Sequence, residues 1–71
     1  MASEVREHAA ALAIRAWIES GSTPADGLRA RITSTIDLSS PEQTVTVAAT
    51  PEQILAEIGE WLERFLEASG G

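Results

Sequence analysis

The chain has a single imidazole, His8, and Glu4 lies four residues before it. On a helix that spacing puts a carboxylate and an imidazole on one face, a pairing that can ligate a metal or move a proton. Two ligands are fewer than a zinc ion takes, so a metal site would require a second copy of the chain. His8 has neither a neighbouring Ser or Cys nucleophile nor an orienting motif. The expectation is a solvated Glu–His pair, with no catalytic residues, no metal and no cofactor.

The second group with chemical potential is an array of carboxylates, Glu57, Glu60, Glu63 and Glu67, along the last third of the chain. One reading is a solvated helix face, with Glu60 and Arg64 in the favourable i,i+4 order. The other is an acidic surface for a basic protein partner. Glu63 and Glu67 fall near the end of that helix, where the backbone dipole disfavours negative charge, so helix stability does not account for them. Over the whole chain eleven acids face five bases, a net charge of −6, and every base is Arg. That balance argues against direct nucleic-acid binding, whose affinity comes from Lys and Arg neutralising phosphates.

The element that positions the carboxylates is the clearest in the sequence. Thr50 stands as a helix cap, Pro51 occupies a position where its missing N–H costs nothing, and Gln53 completes a capping box. At about 100° per residue, Ile54, Leu55, Ile58, Trp61, Leu62, Phe65 and Leu66 share one face and the glutamates the other.

A first helix is expected over Ser3 to Ser20, with Gly21 as its stop and apolar residues around most of its surface. Ile14, Trp17 and Ile18 are its candidate interface residues. The connector Gly21–Gly27 is rich in turn formers, and Thr23-Pro24 is placed to start one helical turn that Gly27 ends. From Leu28 to Leu38 the period becomes two, with Leu28, Ala30, Ile32, Ile36 and Leu38 alternating with Arg29, Arg31, Thr33, Thr35 and Asp37. A turn at Ser39–Glu42 leads to a second strand, Thr44–Ala49, with Val45, Val47 and Ala49 on one side. The polar side of this hairpin should show Arg29, Arg31 and a row of threonines.

The fold class expected is α+β, in the order helix, hairpin, helix (αββα), with both helices packed on one face of the hairpin. Residues 1–68 form a single small domain and 69–71 a flexible C-terminal tail. A two-stranded ribbon is only about 10 Å wide, the width of one helix, so dimerisation should complete the layer. Either two hairpins join into one sheet, or first helices pair.

Seventy-one residues without Cys leave neither disulfides nor thiolate metal sites to stabilise a marginal core. The N-terminus lacks the basic and apolar regions of a secretory signal, and no stretch approaches a membrane span, so a soluble, cytoplasmic protein is expected. The function expected is a non-catalytic homo-oligomeric protein-interaction or assembly module, its partner a second copy in a homodimer or higher oligomer. The alternative is a small acidic inhibitor, of phage or antitoxin type, occupying a basic nucleic-acid-binding surface on its target.

Overall fold

The computed structural model describes residues 8–70. The chain forms β1 (Ala11–Ile18), a single helical turn α1 (Pro24–Gly27), β2 (Leu28–Thr35), β3 (Thr44–Ala48) and a long helix α2 (Pro51–Gly70). The strands make one antiparallel sheet in the order β1-β2-β3, and α2 lies on one face of it. This is an α+β fold with a three-stranded sheet and a C-terminal helix, not the expected αββα arrangement.

The first helix is the main correction, since Ala11–Ile18 is a strand; Ser3 to Glu7 lie outside the described residues. Leu12, Ile14, Ala16 and Ile18 alternate with Ala11, Ala13, Arg15 and Trp17, a period of two that three alanines obscure. Ala suits either state, but Ile and Trp favour a pleated surface. Pairing against β2 then decides, with Ile14 opposite Ile32, Ala16 opposite Ala30 and Ile18 opposite Leu28. Two helices therefore do not pack on a hairpin; a third strand pairs with it, filling the open edge of β2.

The β1–β2 reversal is built from small residues. Gly21 takes a φ of 82°, a left-handed conformation that Gly adopts without Cβ cost. Gly27 is buried where a Cβ would stand 2.5 Å from the Cβ of Ser22. Between them α1 forms as expected, its Asp26 N–H donating to the Thr23 hydroxyl at 3.3 Å.

The β2–β3 hairpin is present, but its turn begins earlier than Ser39. The Ser39 N–H and hydroxyl donate to the Asp37 carboxylate at 3.0 and 2.6 Å, and the Ser40 N–H donates to the Asp37 carbonyl at 3.0 Å. An Asp side chain that mimics a backbone acceptor ends the strand at Thr35.

The register of β3 overturns a further expectation. Ala30 pairs with Ala48 and Ile32 with Thr46, so Thr44, Thr46 and Ala48 join the apolar residues of β2. Val45 and Val47 stand with Arg31 and Thr33 on the face away from α2. Ala48 shares a face with Ala30, and Ile54 of α2 packs against the cluster these two form with Ile32, which makes this the helix side of the sheet. The core consists of Ala30, Ile32 and Ala48, with Leu12 and Ile54 packed against it.

At the start of α2 the Thr50 hydroxyl accepts the Gln53 N–H at 3.1 Å. The Gln53 carboxamide reaches back to the Ala49 N–H at 2.7 Å, one residue before the usual capping-box partner. No helix of the described residues is long and apolar enough to cross a membrane.

Candidate interaction surfaces

Helix α2 uses only part of its apolar arc on the sheet. Ile54, Ile58, Trp61 and Phe65 are half-buried. The Trp61 indole N–H donates to the Thr35 carbonyl at 3.0 Å, and its ring stacks against Phe65 with centroids 6.3 Å apart. The last turns of α2 meet the residues preceding β1, where the His8 and Phe65 ring centroids are 5.1 Å apart. Ser69 gives its hydroxyl proton to the Phe65 carbonyl at 2.8 Å, so His8 Nδ1, 2.6 Å from the same oxygen, is the donor to it. His8 thus ties the start of the sheet to the end of the helix. Its expected companion Glu4 lies outside the described residues.

On one flank of α2, Trp61 and Arg64 line an open cleft of about 300 Å³ with Thr35, Ile36, Asp37, Ser40 and Thr44 of the hairpin. The hydrogen bonds from Ser39, its hydroxyl foremost, hold the Asp37 carboxyl below the usual carboxylate range; the positive potential of His8 adds to this and slight desolvation opposes it. Among the described residues no three His, Cys, Asp or Glu side chains stand close enough to hold a metal ion.

The opposite flank is apolar. Leu55, Leu62 and Leu66 fall within about 40° of one another at helical spacing, a quarter turn from the residues that touch the sheet. Because Trp61 and Arg64 face the hairpin loop, these leucines turn toward β1. There the sheet is uncovered, with Ile14 41% and Ile18 46% exposed. The leucines are more exposed still, Leu55 at 67%, Leu62 at 44% and Leu66 at 64%. Helix flank and bare strand form the two walls of an apolar trough that no described part of the chain fills.

The three candidate interface residues therefore separate. Ile14 and Ile18 lie on the inner face, within this trough, while Trp17 lies on the outer face. Trp17 there stands opposite Arg29, and the Arg15 guanidinium lies 5.5 Å from its ring centroid. Arg15 is directly across from Arg31, and Val47, 75% exposed, completes the row. Glu60, Glu63 and Glu67 are exposed and Glu57 half-buried, on the polar side of α2.

Sequence reasoning missed Leu55, Leu62 and Leu66 as surface residues by assigning the whole apolar arc to one contact. The signal was its width. From Trp61 to Leu66 the arc covers about 140°, more than one sheet contact occupies. Helical spacing would set Arg15 and Trp17 about 200° apart, and only strand pairing puts them on one face.

No protein-family model, curated protein or solved structure matches this chain.

Proposed function

We propose that the chain is a non-catalytic homo-oligomeric interaction module whose self-contact is the apolar trough between β1 and α2. The observation that carries this reading is the coincidence of exposed Ile14 and Ile18 with exposed Leu55, Leu62 and Leu66 along one side of the molecule. Isolated exposed apolar residues are ordinary, whereas a contiguous patch between two elements marks an interaction surface. The small core adds weight, because Ala30, Ile32 and Ala48 are its only buried apolar residues among the described residues. Ordering a backbone residue costs about 1–2 kcal/mol, which so few buried groups do little to offset. A second copy supplies the missing apolar area without disulfide or metal.

Substitution tests the reading. Leu62→Glu places a charge in the trough but stays on the helix surface, so helical content should persist while the dissociation constant of the dimer rises at least tenfold. An unchanged mass for this variant would remove the trough from the contact. The acidic side of α2 makes a different forecast, since capture of a basic partner weakens steeply with salt and a hydrophobic contact does not.

A further inference from the structure

Taking self-association as the starting point, we infer that two copies join antiparallel through their β1 edges, with Ile14 opposite Ile14 of the second copy, giving a continuous six-stranded sheet. The phase of the existing ladder supplies the first argument. Glu19 N–H donates to the Gly27 carbonyl at 2.9 Å, which makes that pair a hydrogen-bonded one. Bonded and non-bonded pairs alternate in an antiparallel ladder, so Trp17, Arg15 and Ala13 bond to β2. Leu12, Ile14, Ala16 and Ile18 then direct their N–H and C=O groups to the outer edge of the sheet, which no other strand of the described residues pairs. This edge is eight residues long. It has no Pro, Gly or Lys, and its one charge, Arg15, stands on the outer face, so the usual protections against edge pairing are missing.

Axes at Ile14 and at Arg15 give the longest overlap of β1 with its own copy, and charge and side-chain size choose between these two. Residues opposed across the axis must share a face, and the edge groups to be joined belong to Leu12, Ile14, Ala16 and Ile18. An axis at Arg15 would set Arg15 against Arg15 on a face where Arg31 is already its neighbour, and like charges directly opposite are destabilising. An axis at Ile14 instead sets Leu12 against Ala16 and Ile18 against Ala10 on the inner face. On the outer face it sets Arg15 against Ala13 and Trp17 against Ala11. Apart from the central Ile14 pair, every large side chain of β1 meets an alanine.

The same register closes the trough. Ala10 immediately precedes β1 and follows by two residues His8, which meets Phe65 in the last turns of α2. Ile18 of the second copy, set against Ala10, comes under that helix end and its exposed Leu66. The two α2 helices then lie side by side on one face of the joined sheet, their leucine flanks turned to each other.

The chain has no Cys, so single-Cys variants report the register directly in the full-length protein. Leu12→Cys, Ile14→Cys, Ala16→Cys and Ile18→Cys would be treated with a short bismaleimide. At about 3.4 Å per residue, the two copies of position 18 stand about 27 Å apart along the strands and the two copies of position 14 are adjacent. Cross-linking should peak at Ile14→Cys and run at least fivefold faster there than at Ile18→Cys. Mixing Ala13→Cys with Arg15→Cys, which leaves the inner face intact, should give mostly the mixed cross-link. A flat profile, or a peak at another position, overturns this register in a protein whose mass is still that of an oligomer. A monomeric mass overturns the self-association reading itself.

Discussion

Ile14 and Trp17, three positions apart on β1, stand on opposite faces of the sheet, Ile14 across from Ile32 and Trp17 across from Arg29. The separation divides the exposed apolar surface into two chemically different parts. Ile14 borders a trough walled by leucines. Trp17 borders a face carrying Arg15, Arg29 and Arg31, where the Arg29 guanidinium donates to the Leu28 carbonyl at 2.7 Å.

The two faces should respond differently to charge. Ile18→Glu should weaken self-association at least tenfold, whereas Trp17→Glu, on the outer face opposite Arg29, should change it several-fold at most. Sedimentation velocity on both variants checks this. An equal loss in the two would mean that the outer-face pairs across the joined edges hold the copies together as strongly as the inner face does.

The Trp61 indole links α2 to the sheet through the Thr35 carbonyl. Trp61→Phe keeps most of the ring packing and removes the donor, leaving a half-buried carbonyl without that partner. The expected destabilisation is about 1–2 kcal/mol, read as a lower urea midpoint with an unchanged slope. A loss below the error of the measurement would show that water replaces the indole at no cost.

Gly27→Ala should destabilise the chain, because the added Cβ would lie 2.5 Å from the Ser22 Cβ, 3.2 Å from the Ile18 Cγ2 and 3.3 Å from the Glu19 nitrogen. Overpacking of this kind costs about 1–3 kcal/mol. A thermal melt of the variant beside the wild type is the check, and an equal midpoint would indicate that the reversal shifts freely.

Asp37 should titrate below the ordinary carboxylate range because of its hydrogen bonds from Ser39. A lowered folded value means a stabilising contribution that is complete above the unfolded value, near pH 4, and is lost as pH falls through the folded one. Ser39→Ala should move the Asp37 carboxyl up toward its ordinary value. Carboxyl-carbon NMR titration of both proteins measures it, and identical curves would contradict the role given to the Ser39 hydroxyl.

The sequence disclosed the elements whose period or punctuation is unambiguous. Thr50, Pro51 and Gln53 announce α2, the alternation from Leu28 announces β2, and Thr23-Pro24 with Gly27 announces α1. The strand at Ala11–Ile18 was not legible because Ala11, Ala13 and Ala16 carry no period. The spacing of Ile14 and Ile18 fits one helix face and one strand face equally well. Only the long-range pairing with β2 separates the two, and intrinsic propensity yields to such contacts. The positions of Val45 and Val47 were lost in the same way, since a one-residue change of register reverses a whole strand. Among the site residues, Ile14 and Ile18 were recognisable as exposed apolar candidates, while the leucines that face them depended on where α2 crosses the sheet.

The most direct measurement is absolute mass by light scattering over a dilution series at low and high salt. The account predicts at least twice the 7.5 kDa chain mass at high concentration, dissociation on dilution, and little change with salt, because the contact is apolar. A mass of one chain at every concentration, or an assembly that falls apart as salt is added, would contradict it.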